Sequence, residues 1–231
     1  MSILFSAYSQ SDFFGKCIFF GLFLLSFICW VLLIYKTLQA KKVKKLSKRF
    51  ESLIAAQKER LLHLPIEEMA HPFASIFSEL KQKTGEILKK NHYFSSQGES
   101  KSAAYLSRTD LELIESHVLT TVSMETKRLE KNLFILSTIA TLAPFLGLLG
   151  TVWGILLTFA GLQSSAAISS NSVILSGLST ALATTVLGLV IAIPALIFYN
   201  YLKNGLKEFS SDMEDFLYRM LSTVELQYRK P

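Results

Sequence analysis

The chain has 231 residues, half of them hydrophobic, with a net charge of +6 and a mean hydropathy of +0.36. That composition excludes a disordered or strongly polar soluble protein and points to the membrane class. It also argues against a nucleic-acid partner. The basic residues gather at the borders of apolar segments, not on a face interleaved with aromatics.

Two stretches lack Asp, Glu, Lys and Arg altogether, one between Lys16 and Lys36 and one between Lys131 and Lys203. A hydrocarbon core about 30 Å thick takes roughly 20 helical residues to cross. The first gap therefore holds one crossing and the second holds two. The expected fold is an all-α membrane protein with three transmembrane helices, two of which extend into the cytoplasm. In chain order, a periplasmic N-terminus (1–16) leads into helices at 17–35, 133–161 and 173–201. A cytoplasmic helical region (36–132) and a periplasmic loop (162–172) connect them, and a cytoplasmic helix (202–231) follows. The first apolar run does not read as a cleavable signal, because its basic residues come after it and no A-x-A site closes it.

Orientation follows from the lysines. Residues 36–49 carry seven basic side chains and no acid. Lys127, Arg128 and Lys131 precede the second helix, and Lys203 and Lys207 follow the third. On a three-helix path these clusters share one side, which the positive-inside rule makes cytoplasmic. The N-terminus is then outside and the C-terminus inside. Residues 36–132 hold 18 Lys/Arg against 12 Asp/Glu, whereas 202–231 hold five of each; the excess suits anionic lipid headgroups. Cys17 and Cys29 lie twelve residues apart on one helix, too far to bond each other, and read as small packing residues.

Within 36–132, Leu46, Phe50, Leu53 and Ile54 recur at helical spacing, as do Leu111, Ile114, Val118 and Val122. Pro65 and Pro72 interrupt the first half, and residues 91–104 read as a loop. From about Thr109 the helix is expected to run without a break into the second membrane helix. After the third, Leu206, Phe209, Met213, Phe216, Leu217, Met220 and Val224 keep an apolar stripe. Whether the stripes pack within one chain or between copies stays open.

No catalytic motif emerges. His63, His71, His92 and His117 lack metal-ligand spacing, and neither a nucleophile elbow nor a phosphate-binding loop occurs. The membrane segments offer hydroxyls but no base. No enzyme activity, metal or cofactor is expected.

The informative residues are polar or small ones inside the apolar run. Gly147, Gly150 or Thr151, and Gly154 share one face of the second helix at i, i+3/i+4, i+7. Gly177, Ala181, Thr184 or Thr185, Gly188 and Ala192 repeat the pattern in the third. In lipid, small residues bring helices together by letting backbones approach, so these faces are expected to pack. Pro144 and Pro194 each remove a backbone donor and are expected to kink their helices. Threonine often bonds back to its own helix and means nothing more. Counted from the helix ends, however, Thr151 and Thr185 lie about 15 and 18 Å deep. Two hydroxyls at nearly one level beside small-residue faces suggest a lined conduit.

"APFLGLLGTVWGI" followed by "ALATTVLGLVIAIPALIFYN" resembles the paired signature of the TolQ/ExbB/MotA group of proton-channel subunits. The resemblance is specific over residues 143–200. Three helices, where MotA-type members have four, place it nearer the TolQ/ExbB branch, and length leans toward TolQ. The resemblance implies a homopentamer in the bacterial inner membrane around a single-span partner of TolR or ExbD type. A TolA- or TonB-like protein would be a further partner. A partner aspartate would carry the proton past two threonines that match Thr151 and Thr185, with Thr184 and Thr180 as further pathway candidates. Many members have a glutamate where this chain has Thr180, which can pass a hydrogen bond but cannot hold a charge. The residues lead to the same requirement independently: ionisable groups are the usual mark of an ion pathway, and the second and third helices contain none. Any titrating carboxylate must come from another polypeptide. The competing reading is a structural scaffold that uses the small-residue faces only to assemble. An independent secondary transporter fits poorly, since discontinuous helices around a substrate site would be expected.

Overall fold

In a computed structural model of the chain, residues 5, 7–9, 11–55, 71–96, 105–164 and 171–228 are described. Among them the chain is all-helical and contains no strand. Five long helices follow in order: α1 (Phe13–Ala55), α2 (Pro72–Ser96), α3 (Arg108–Glu130), α4 (Leu133–Ser164) and α5 (Asn171–Tyr228). Among the described residues, three stretches are long and apolar enough to cross a membrane, in α1, in α4 with α3 before it, and in α5.

The chain divides into two compact units. One comprises Met1–Thr37 with Asn132–Lys203, the other Leu38–Lys131 with Asn204–Pro231. The first, apolar unit takes the start of α1, all of α4 and the first half of α5. Its core joins Ile18, Leu22 and Cys29 of α1 to Ile139, Ala140 and Ala143 of α4 and Ile191, Ala192 and Ala195 of α5. Seen from α1, the buried positions recur every four to seven residues, one stripe of a helix whose other faces remain apolar and exposed. Phe20, Phe23, Phe27 and Trp30 are more than half exposed, as suits residues that meet lipid.

The second, charged unit is held by a different core. Ile54, Phe73, Ile76, Phe77, Leu80, Ile114, Val118, Val122, Phe209, Met213, Phe216, Leu217 and Val224 are buried together. Phe73 stacks on Phe209 at 5.6 Å and on Phe216 at 4.7 Å between ring centroids. The stripes of α3 and α5 thus meet within one chain. Pro72 opens α2, where its missing N–H costs nothing, and His71 caps that end: the Ala74 N–H reaches its carbonyl at 3.1 Å and its Nδ1 at 3.3 Å. Ser107 and Asp110 form a capping box at the start of α3. Asn91 Nδ2 ties this cap to α2, donating to Asp110 Oδ2 and to the Tyr105 carbonyl, both at 3.0 Å. An ion pair at 2.6 Å joins Arg219 of α5 to Glu51 of α1.

Four features differ from the sequence expectation. Helix α1 begins at Phe13 and continues to Ala55, so the charged segment after residue 36 prolongs the helix. Lysine and arginine are good helix formers, and charge alone does not end a helix. Helices α3 and α4 are not continuous: a two-residue turn at Lys131 and Asn132 separates them, with Asn132 at φ 68°. Asn is among the few non-glycine residues that enter this region readily. The expected loop at 91–104 starts later, because α2 runs to Ser96; residues 97–104 and Pro65 lie outside the described residues. Finally, Leu53 is 58 % exposed. The buried stripe of α1 here runs through Ser47 and Ile54, with Val43 and Phe50 packed beside it.

Candidate functional site

The contact between α4 and α5 is built by glycines. A methyl group at Gly147 would stand 2.9 Å from both the carbonyl oxygen of Thr184 and Cα of Thr185, both backbone atoms that cannot step aside. At Gly154 it would meet the Ala181 side chain at 2.7 Å, at Gly188 the Cα of Gly147 at 3.3 Å, and at Gly150 and Gly177 the side chains of Thr184 and Thr158. Read in order, 147 faces 184–185, 154 faces 181 and 158 faces 177, the pattern of an antiparallel pair. Ala192 is buried in the apolar core instead. Both helices run on through Pro144 and Pro194, so neither proline ends its helix.

This close approach brings hydroxyls from the two helices together. Thr151 Oγ1 donates to the Gly147 carbonyl at 3.0 Å, one turn back along α4. Thr185 Oγ1 reaches the same oxygen from α5 at 3.0 Å, and Thr184 Oγ1 reaches it at 3.1 Å. Thr151 and Thr185 are also hydrogen-bonded directly, hydroxyl to hydroxyl. Thr184 has a second acceptor, the Ala181 carbonyl at 2.7 Å. Thr151 and Thr185 are half-buried while Thr184 is buried. Thr180, also half-buried, stands one turn before Thr184.

The arrangement has a chemical consequence. A hydroxyl carries one proton and two lone pairs. In a hydrogen-bonded pair, one hydroxyl satisfies the other and a carbonyl can take the remaining proton. Either hydroxyl can be the donor, so the pair can present a proton or a lone pair outward at little cost. It cannot store charge. Along α4, and along α5 as far as Lys203, the sequence has no Asp, Glu, Lys, Arg or His. The carboxylate of this unit is Asp12, and it is already engaged. Its oxygens cap α1 through the Gly15 N–H at 2.9 Å and the Phe14 N–H at 3.3 Å, and Oδ2 accepts Trp153 Nε1 at 3.1 Å. Burial pushes this carboxyl up, but the indole and backbone donors outweigh it and hold it below the usual range. Phe14 lies against Trp153, with ring centroids 4.5 Å apart.

Sequence reasoning singled out Thr151 and Thr185 from depth and spacing, and the structure brings their hydroxyls together. It missed that the Gly147 carbonyl is their shared acceptor, since a backbone atom leaves no mark in a side-chain pattern. It also missed the link from Asp12 to Trp153, two residues 141 positions apart. Of the other groups considered, His117 and His92 are exposed and His71 is buried. Among the described residues no three His, Cys, Asp or Glu side chains come together as a metal site.

Residues 79–215, more than half of the chain, match the MotA/TolQ/ExbB proton channel family. The biopolymer transport protein ExbB of Salmonella typhimurium is 28 % identical over 216 residues, covering 93 % of this chain and 83 % of that protein. The ExbB protein of Aquifex aeolicus is 44 % identical over 88 residues, 38 % of this chain and 59 % of that protein. The Tol-Pal system protein TolQ of Pseudomonas aeruginosa is 40 % identical over 79 residues, 34 % of each chain. The chain belongs to the MotA/TolQ/ExbB proton channel family, on its TolQ/ExbB side.

Proposed function

We propose, from that membership, that this chain is the channel and stator subunit of a bacterial inner-membrane motor that couples proton motive force to work on the outer membrane. The 216-residue alignment to an ExbB protein favours the transport branch over the Tol-Pal one. The observation that carries the reading is the Thr151–Thr185 hydroxyl pair, seated on the Gly147 carbonyl within a segment free of Asp, Glu, Lys, Arg and His.

In this reading several copies, five by resemblance, surround a single-span TolR- or ExbD-like partner. The partner's membrane carboxylate carries the proton. Thr151 and Thr185 hydrogen-bond that carboxyl in both its states, accepting from the acid and donating to the carboxylate. Thr180, half-buried and uncharged, replaces a charged relay with a hydroxyl. Gly147, Gly150, Gly154, Gly177, Ala181 and Gly188 keep α4 and α5 close enough for the two hydroxyls to meet. Pro144 and Pro194 loosen their helices nearby. Topology follows the lysines, with Asp12 periplasmic, the charged unit cytoplasmic, and the basic residues of α1 near anionic headgroups. A TonB- or TolA-like protein receives the work. Each proton crossing 100 mV supplies about 2.3 kcal/mol.

Thr151→Val and Thr185→Val test this. Valine keeps the shape and removes the hydroxyl. Each variant is expected to lose at least nine-tenths of energised transport in cells while still co-purifying with its partner at wild-type yield. Full activity in both variants would leave the scaffold reading, in which the glycine contacts serve assembly alone.

A further inference from the structure

We propose that Thr184 is a positioning residue that sets which face of the Thr151–Thr185 pair, proton or lone pair, is turned toward the pathway. The inference rests on the pathway reading of that pair. Thr184 is 3 % exposed, so it does not touch a carrier itself. It acts through a contested acceptor. Three hydroxyls reach one oxygen, the Gly147 carbonyl, at 3.0, 3.0 and 3.1 Å. A carbonyl has two lone pairs, and in a regular helix one of them takes the N–H four residues on. About one of the three hydroxyl protons can therefore be accepted well at a time.

Thr184 is the member with an alternative, because the Ala181 carbonyl lies 2.7 Å from its oxygen. A hydroxyl proton rotates to suit its surroundings, which gives two arrangements of the same heavy atoms. When Thr184 donates to Ala181, Gly147 is free to accept from the pair. The pair's spare proton then points inward, and its lone pair faces the pathway and can accept from a protonated carboxyl. When Thr184 donates to Gly147, that acceptor is occupied. The pair's spare proton turns outward and can stabilise a carboxylate.

The pocket is shaped for this side chain. A methyl group at Gly150 would press on Thr184 Cβ at 2.8 Å, so glycine there leaves room for it. On α4, Gly147 and Gly150 lie against Thr184, and on α5 its hydrogen-bond partner is Ala181. None of these residues titrates. The charged groups of the unit are Asp12, Lys16, Lys36 and Lys203. Asp12 is held by Trp153, and the other three are lysines. The group that responds is therefore the carboxyl supplied by the partner.

Removing the Thr184 hydroxyl leaves Gly147 permanently open to the pair, which then offers mainly its lone pair. A hydrogen bond accepted from the neutral acid favours that form and raises its pKa. The test is proton influx into liposomes as a function of external pH, using the complex purified with its own single-span partner. Thr184→Val and Thr184→Ala are expected to move the midpoint upward by about half a pH unit, roughly what one hydrogen bond is worth to a titrating group. Thr184→Ser, which keeps the hydroxyl, is expected to titrate as wild type. A wild-type midpoint in both Val and Ala variants would overturn the proposal. So would a Ser variant shifted as far as Val, since packing alone would then explain the effect. Thr151→Val and Thr185→Val in the same assay separate the two levels. If both conduct normally, the pathway reading fails; if both are silent while Thr184→Val keeps the wild-type midpoint, only the role of Thr184 fails.

Discussion

The two units of this chain share helices α1 and α5 yet are held together by opposite means. In the apolar unit, α4 and α5 meet through glycine, alanine and threonine, and the polar contacts between them are threonine hydroxyls on a backbone carbonyl and on each other. In the charged unit the same α5 meets its neighbours through Phe209, Met213, Phe216 and Leu217, with an ion pair and a capping box nearby. The difference follows from the solvent. Lipid gives no reward for burying leucine, so helices there associate by close contact and hydrogen bonds. Water does reward it, at about 25 cal/mol per Å². One continuous helix thus changes its packing code along its length.

The comparison can be broken from either side. In the apolar unit the damaging change is to add atoms. Gly147→Val places a side chain against the backbone of Thr184 and Thr185, and both the α4–α5 contact and the hydroxyl pair are expected to be lost. Yield of folded, detergent-extracted protein should fall at least tenfold, and a normal yield with normal activity would mean the helices do not meet there. In the charged unit the damaging change is to remove atoms. Phe216, 1 % exposed and stacked on Phe73, is expected to cost about 3–5 kcal/mol on truncation to Ala. The readout is the denaturant midpoint of the purified chain, and the same truncation at Phe20, which is 66 % exposed, should leave the charged unit unchanged.

A smaller effect should come from pH, again confined to the charged unit. His71 is buried against Phe50, with ring centroids 4.8 Å apart. Burial lowers its pKa, although the charge of Glu125 works the other way. The folded state therefore holds the ring neutral at pH values where the unfolded chain protonates it. Above about pH 6.5 both states are neutral and stability is unaffected. Below it the unfolded chain binds the extra proton, and stability falls until pH reaches the folded pKa. Thermal midpoints of wild type and His71→Gln between pH 7.5 and 5 check this (about the range in which an unperturbed His titrates); the wild type should lose more on acidification. Equal slopes would remove His71 from the account.

Much of this was legible in the residues. Two charge-free runs were enough for three membrane helices, since nothing else explains 71 consecutive uncharged residues between Lys131 and Lys203. Spacing placed Gly147, Gly154 and Thr151 on one face, because helical period is a local property. What escaped notice is what period cannot carry. The break at Asn132 is one dihedral in a stretch whose apolar rhythm continues on either side. Asp12 and Trp153 meet only after the chain has folded back on itself. Thr184 and Thr185 are neighbours in sequence but lie about 100° apart around the helix, so one is buried and the other half-open. Their difference comes from which side of α5 is pressed against Gly147 and Gly150.

The central claim is that the channel's titrating acid is contributed by a second polypeptide and that the threonines only hydrogen-bond to it. The most direct measurement compares proton flux through liposomes holding this chain alone with flux through liposomes holding the chain and its co-purified single-span partner. Flux confined to the complex, and removed by Thr151→Val, is the predicted result. Equal flux from the chain alone would contradict the account.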